Sequence, residues 1–463
     1  MVSKTMNDEK SKKPLIAFLT IFDYMGETFP LLEIAKKYKE LGGEAIFVGY
    51  GNKYEKMIAE SGFKTIVIRQ YYKIPILEMD KPDHFYDGQS KTSKKAIRQQ
   101  LREEKAPEKK FFRLFDKKYE QNDIEAIEKE IEIFKAENVD MVVTGFISTA
   151  LISAHFVNIP VIFLQSGVAI RPFFLSGNAT FPENYENAIT LLIPNFIKKM
   201  ITNWYIAGSN WRVRDFNRIA EKYGVPKLNY FLELFAGDYT LVADDMELLD
   251  VAPTKEFPAG NFVGPILMGN PLGDDKNFDP AVEQHIKRPG RSILLTMGSS
   301  PLWKDIFLRS LNALNQTDYN VIATYTTILD ENELPKLNDN ILLKKFIPNI
   351  AKLNQMVDLA IIHGGRGTVY PTAYSGKPAI GIALHSEQQH NLDNLIRKGM
   401  VVRLSRKYFD EKKLLKTIDQ IFDNYDGYLK NAKAVKDKLP PPNGAEKAAK
   451  RILEIWVNES KNQ

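Results

Sequence analysis

The residues best placed to do chemistry in this chain are His363-Gly364-Gly365-Arg366-Gly367-Thr368, directly behind the apolar run Leu359-Ala360-Ile361-Ile362 and ahead of a helix-like stretch. Three glycines in four positions let the backbone approach a ligand closely. The first turn of a helix adds free N–H groups and partial positive charge, and together these suit a phosphate. Turns of this kind serve many nucleotide folds and some merely tight turns. Downstream come Gly376-Lys377-Pro378, the apolar run Ala379-Ile380-Gly381-Ile382, and the polar residues Glu387, Gln388 and Asn391. A carboxylate beside an amide both accepts and donates hydrogen bonds in a fixed plane, as sugar hydroxyls require. Ser386-Glu387 also has the form of a helix N-terminus, which is the plainer reading of the pair.

A second polar group follows the first apolar run, Leu15 to Ile21: Asp23, then Gly26-Glu27-Thr28-Phe29-Pro30. A carboxylate in a cleft serves as a general base once burial raises its pKa, and a neighbouring acid such as Asp23 would raise it further. Glu27 equally suits the positive end of the helix that follows. Other chemistries drop out on composition. The chain has no cysteine, which removes disulfide scaffolds, thiolate zinc sites, iron–sulfur clusters and cysteine nucleophiles, and six histidines leave little room for a histidine metal cage. Asp244-Asp245 and Asp274-Asp275 lack Asp-x-Asp spacing and read as turn residues, so no metal site is expected.

These groups need elements to hold them. At about 150 residues per domain, 463 residues make two or three domains. Leu15 to Ile21, Glu44 to Gly49 and Lys64 to Arg69 read as strands with helical stretches between them, the first helix running from Pro30 to Tyr38. The pattern lapses over Tyr71 to Asp123. It resumes with a helix near Ile124 to Glu137 and a strand at Met141 to Thr144. From Ser292 the same alternation returns, with strands Ile293 to Thr296, Asn320 to Thr324, Ile341 to Lys345 and Leu359 to Ile362, and a helix from Trp303. Such alternation predicts parallel sheets with right-handed crossovers. Met268 to Gly290, rich in Gly, Pro, Asn and Asp, has linker composition. The last helix, Ala445 to Val457, places Ala448, Ala449, Ile452, Ile455 and Trp456 on one face that must dock.

The net charge is +5, far from the basic density of a nucleic-acid binder. The basic excess is local, since Lys91 to Glu120 holds eleven Lys or Arg against five Asp or Glu. It reads as a solvated loop and helix, or as a patch that touches anionic lipid or an anionic substrate. The polar start of the chain lacks the apolar core of a signal peptide, so a cytoplasmic protein is expected, peripheral at the inner membrane face if that patch binds lipid. Met141 to Ile170 carries no charged residue and is long enough to span a bilayer, but its turn residues and β-branched run Val161-Ile162-Phe163-Leu164 assign it to a buried strand–helix–strand unit. Ala188 to Pro194, followed by Lys198-Lys199, could cooperate with that basic patch, but core packing is the expected role.

Taken together, His363-Gly-Gly-x-Gly-Thr368, Gly376-x-Pro378, Glu387-Gln388 and Asn391 resemble the donor-binding signature of the nucleotide-sugar glycosyltransferases of the GT-B fold, the family of the UDP-glucuronosyl-, sterol and macrolide glycosyltransferases. Phe346-Ile347-Pro348-Asn349 resembles the stretch that holds the base. Phe262-Val263-Gly264-Pro265 resembles the segment closing the N-terminal domain, and Gly298-Ser299-Ser300 the phosphate-side loop of the second. The likeness is sharp over residues 260–405 and one of layout before them.

The resemblance implies an α/β chain with two Rossmann-like domains whose parallel sheets face across a cleft. Residues 1–267 would bind the acceptor, 268–290 link the domains, 291–444 bind the nucleotide-sugar, and 445–463 dock back on the N-terminal domain. It further implies that His363 and the backbone of Gly364, Gly365, Arg366, Gly367 and Thr368 carry the diphosphate, with Gly298, Ser299 and Ser300 opposite and Phe346 and Ile347 at the base. Glu387 and Gln388 would hold the sugar, and Asn391 would touch phosphate or brace the loop. Glu27 stands where relatives place the basic His or Asp. The implied reaction is inverting transfer from a nucleoside diphosphate sugar, a UDP-sugar as co-substrate with no cofactor, to a hydroxyl of a small-molecule or lipid acceptor. Two departures stand out: the family's histidine is absent, and Pro371 replaces the acid that holds the ribose, with the regular helix expected to begin near Pro371. They leave a non-catalytic sugar-nucleotide-binding protein as the alternative, and an epimerase as a further one that Glu387-Gln388 speaks against.

Overall fold

The computed structural model describes residues 13–69, 117–211, 213–267, 279–347 and 349–462. Long β-branched and aliphatic runs make twelve strands, which form two sheets. The first holds β1 (Leu15–Ile21), β2 (Glu44–Tyr50), β3 (Lys64–Arg69), β4 (Met141–Thr144), β5 (Val161–Gln165) and β6 (Tyr239–Val242). The second holds β7 (Ser292–Thr296), β8 (Asn320–Thr324), β9 (Ile341–Lys344), β10 (Leu359–Ile362), β11 (Ala379–Ile382) and β12 (Val401–Leu404). Their orders are β3-β2-β1-β4-β5-β6 and β12-β11-β10-β7-β8-β9, the same topology read from opposite edges. All pairings are parallel. Each is the doubly wound order of a Rossmann-like domain.

Both faces of each sheet are covered, so successive side chains enter different cores. Phe18 packs on one side of the first sheet with Phe47, their rings stacked at 5.2 Å, and Leu19 on the other with Val48 and Val142. The charge-free 141–170 stretch is β4, the Ala150–Phe156 helix and β5, as expected of a buried unit. Strands β6 and β12 escaped the sequence reading. Both are four-residue edge strands, and β12 carries Arg403, which is paired with Asp393.

The final helix, Gly444–Asn462, lies against the Met25–Glu40 helix, with Ala448, Ala449, Ile452 and Ile455 in one core with Leu31, Ala35 and Tyr38. Residues 268–278 of the expected linker lie outside the described residues. Pro280–Ile286 is a helix whose Val282 is buried with Leu294 and Ile322 of the second sheet. The basic stretch 91–116 also lies outside the described residues.

Three expectations are corrected. The first helix begins at Met25, not Pro30, and the helix behind the glycine-rich turn begins at Arg366, not near Pro371. A proline thus sits sixth in each helix, past the turn whose N–H groups have no helical partner, and removes one backbone bond in each. Residues 188–194 are not core: Ile189, Leu191 and Leu192 are exposed. They form a surface 3-10 turn held by Asn187 and Thr190, so their apolar side chains have no sheet or helix above them.

Candidate active site

In a doubly wound sheet the chain leaves the central strands in opposite directions, which opens a crevice beyond their carboxyl ends. Here those strands are β1 and β4 in the first sheet and β7 and β10 in the second. All four are followed by residues of interest: Glu27 after β1, Gly145 after β4, Gly298 after β7 and His363 after β10.

In the second domain the two turns press together. Gly298 adopts φ +76°, and a Cβ there would lie 2.7 Å from the His363 ring. Its carbonyl accepts from Thr326 Oγ1 at 2.7 Å, and the Ser299 carbonyl accepts from Thr327. Ser299 is exposed, while the Ser300 hydroxyl oxygen caps the following 3-10 turn at Leu302. Gly364 adopts φ +86°, where a Cβ would meet the Gln388 carbonyl oxygen at 2.6 Å, so only glycine fits. Asn391 braces this turn, donating from Nδ2 to the Gly364 carbonyl at 3.2 Å. The Arg366–Ser375 helix starts at Gly365 with no side-chain cap, which leaves first-turn N–H groups for an anion. Thr368 Oγ1 donates to the Gly365 carbonyl at 3.0 Å and lies 3.4 Å from His363 Nδ1.

Burial lowers the His363 pKa to about 4, with the His385 charge adding to the effect and a hydrogen bond to the Thr296 backbone opposing it. The ring is therefore neutral at pH 7. Its single N–H is engaged by the Thr296 backbone, so the ring shapes the turn, with the Gly298 backbone packed against it, and brings no charge to it. Glu387 is half-buried in the first turn of the Ser386–Arg397 helix, whose N-cap is His385 without a side-chain bond, so Ser386 is not a cap. Gln388 Oε1 accepts from Leu384 N at 2.8 Å, leaving its Nε2 as donor. Phe346 is exposed and Ile347 buried; Pro348 lies outside the described residues.

In the first domain Glu27 is 4% exposed, its Oε1 accepting from Phe146 N at 2.8 Å and its Oε2 from Ile21 N at 3.3 Å. Burial lifts its pKa to about 7 against the backbone hydrogen bonds from Phe146, Ile21 and Gly145. Asp23 contributes nothing to that shift. Its Oδ1 is turned to the β2 end and accepts from Asn52 and Lys53 N, both at 3.0 Å. The structure thus does not place Asp23 as a partner of Glu27.

A chain of contacts joins the two crevices. Glu27 Oε1 lies 2.9 Å from where a Gly145 Cβ would stand, and the Gly145 carbonyl accepts from Gln165 Nε2 at 2.5 Å. Two residues on, Gly167 N donates to Asp244 Oδ2 at 2.6 Å. Asp244 is buried at the domain boundary: desolvation raises its pKa, and Arg366 at the glycine-rich turn draws it down. Tyr370 of the same helix bonds Asp244 and accepts from Asp245 N at 2.8 Å. The sequence reading placed both acids in a turn. Asp245 does cap the Met246–Leu249 helix, but Asp244 ties the domains together, and its one signal was an acidic pair directly behind an apolar run. Nearby, Gln389 Oε1 accepts from Glu183 N at 2.9 Å, Asn184 Nδ2 donates to the Leu384 carbonyl at 3.1 Å, and Glu183 Oε1 accepts from Lys407 N at 2.8 Å. These bonds brace the helix that carries Glu387 and Gln388. Among the described residues, no group of three His, Asp or Glu side chains is placed to hold a metal ion.

Comparison with known proteins agrees with this geometry. Residues 305–452 match the model of the glycosyltransferase family 28 C-terminal domain. The chain is 32% identical over 104 residues to rat (Rattus norvegicus) UDP-glucuronosyltransferase 2B15, covering 22% of this chain and 19% of that protein. It is 23% identical over 212 residues to the UDP-N-acetylglucosamine–N-acetylmuramyl-(pentapeptide) pyrophosphoryl-undecaprenol N-acetylglucosamine transferase 1 of Bacillus cereus, covering 42% of this chain and 57% of that one. The calicheamicin glycosyltransferase CalG4 superposes with a TM-score of 0.64 at 16% identity, over 96% of this chain and 98% of its own. The fold is GT-B.

Proposed function

We propose that this protein is a glycosyltransferase that moves a sugar from a nucleoside diphosphate donor, UDP-linked, to a hydroxyl of a small-molecule or lipid acceptor with inversion. The observation that carries the reading is the complementary loading of two equivalent crevices: anion-binding backbone beyond β7 and β10, and a carboxylate poised near neutrality beyond β1. The acceptor O–H gives its proton to Glu27 as its oxygen bonds the anomeric carbon. The bond from that carbon to the diphosphate oxygen breaks, and the leaving charge is met by the first-turn N–H groups of Arg366 and Gly367 and by the Ser299 hydroxyl, with His363 and Thr368 shaping the turn that presents them. Glu387 and the Gln388 amide would orient the sugar, and exposed Phe346 offers a face for the base. The relatives' printed names, which include UDP-sugars, support the donor class.

Calorimetric titration with UDP, dTDP and GDP tests the donor half. One nucleotide, UDP on this reading, should bind, and His363→Ala should weaken it about tenfold by removing the ring against which the Gly298 and Gly365 turns pack. Absence of binding to all three would transfer the weight to a non-catalytic role, consistent with Pro371.

A further inference from the structure

Among the described residues, ten of the eighteen exposed large apolar side chains fall between Leu175 and Tyr205. They centre on the Asn195–Gly208 helix, whose polarity is inverted for a protein in water. Its inward face is Lys198, Thr202, Asn203 and Ala207, all buried. Asn203 exchanges two hydrogen bonds with the Ala179 backbone, at 3.1 and 2.7 Å, and Lys198 reaches Glu186 at 3.2 Å. Its outward stripe, at steps of four residues, is Phe196, Met200 and Trp204, exposed to 72%, 64% and 77%, with Ile189 and Leu192 continuing it at 72% and 85%. A polar side held by specific bonds and an apolar side left open is the arrangement of an element whose outer solvent is not water.

We infer that this face docks the protein on an anionic bilayer, with the stripe entering the interfacial layer. The composition favours lipid over a protein partner. Trp, Tyr and Phe mix with Leu, Ile and Met as at a membrane interface, and no acidic residue occurs between Glu186 and Asp215, whereas Lys199 and Arg171 line the cavity behind the stripe, Lys198 being turned inward to Glu186. Behind the stripe, a cavity of about 650 Å³ lies between Phe174, Phe196, Met200 and Trp204, with room for a lipid chain. Phe174 closes its inner end edge-on to His390, ring centroids 6.2 Å apart, on the helix that carries Glu387. No helix among the described residues is long and apolar enough to cross a membrane, so contact here is lateral. Docking needs neither donor nor acceptor to be bound.

The test is cosedimentation of the full chain with phosphatidylcholine vesicles containing one part in five phosphatidylglycerol, with tryptophan quenching by brominated phosphatidylcholine as second readout. The chain should sediment and be quenched, and should stay partly bound at high salt, because burial of apolar side chains is not screened. Phe196→Glu with Trp204→Glu should weaken sedimentation at least tenfold with thermal stability unchanged, both side chains being more than 70% exposed. Trp204→Phe should keep sedimentation and lose most of the quenching. The inference is overturned by no vesicle association, by association that the double variant leaves intact, which would point to residues 91–120, or by a dimer in solution that the double variant dissociates without any vesicle binding.

Discussion

The two domains repeat one plan closely enough to be compared position by position. Each has a six-stranded parallel sheet in the same order, a helix leaving its crevice, and a proline sixth in that helix. They part company at the turn itself. In the second domain the turn is stripped of side chains at Gly364, Gly365 and Gly367, its one titratable ring is held neutral, and its one charged side chain, Arg366, acts on Asp244, so the turn offers mainly backbone N–H groups. In the first domain a single carboxylate is pulled into the same place and lifted to about pH 7. On the proposed function, one scaffold would supply anion binding from the backbone in one copy and proton transfer from a side chain in the other. Burial produces both, because it disfavours the imidazolium and the carboxylate alike.

The sharpest way to break the contrast is Glu27→Gln. If the first crevice does the proton transfer, turnover should fall by roughly 10²–10⁴-fold while the nucleotide dissociation constant stays put. An unchanged rate would remove Glu27 as the base. Wild-type kcat/KM should rise with pH and level off above about 7, because the base must be ionised, and Glu27→Gln should abolish that limb.

Next in size is Gly364→Ala, which asks the second turn to accept a side chain. The positive φ and the 2.6 Å approach of the Gln388 carbonyl should cost about 1–3 kcal/mol of local strain and weaken nucleotide binding about ten- to a hundredfold. Equal affinity in the variant, by calorimetry, would mean that the backbone of this turn does not hold the ligand.

The smallest effect separates burial from catalysis. Glu130, also fully buried and lifted to about 7, accepts from Tyr50 at 2.7 Å and from Thr149 and Ser153 at 2.6 Å, and shares no hydrogen-bond partner with Glu27. Both acids keep protons in the native state that the unfolded chain releases above about pH 4.5, so stability should decline as pH rises from there to about 7. Glu130→Gln should flatten part of that decline in denaturant titrations and leave turnover alone; Glu27→Gln should flatten a similar part and take turnover with it.

Much of this was legible in the sequence, and unevenly so for physical reasons. Interior strands such as β1, β4, β8, β10 and β11 are buried on both faces and announce themselves as unbroken apolar runs, whereas the edge strands β6 and β12 do not. The glycine-rich turn was readable because close approach of backbone demands glycine. Helix starts at Met25 and Arg366 were not, because proline marks a boundary only when packing does not override it. Asp244 and the outward stripe on the Asn195–Gly208 helix were hidden for a common reason. An acid bound across a domain boundary and an apolar residue facing solvent both depend on what lies beyond their own element, which local pattern does not record.

The helix at Gly444–Asn462 sets a schedule for the growing chain. Its apolar face completes the core around Leu31, Ala35 and Tyr38, yet it begins at Gly444, long after β6 closes the first sheet at Val242, a delay of about 10–40 s at ribosomal speed. Throughout that interval the domain made first waits with an open flank on its Met25–Glu40 helix, and the domain made second has time to finish before it. Order of synthesis and order of completion are therefore reversed in this molecule, and a nascent chain halted near residue 440 should be a substrate for chaperones at its N-terminal half.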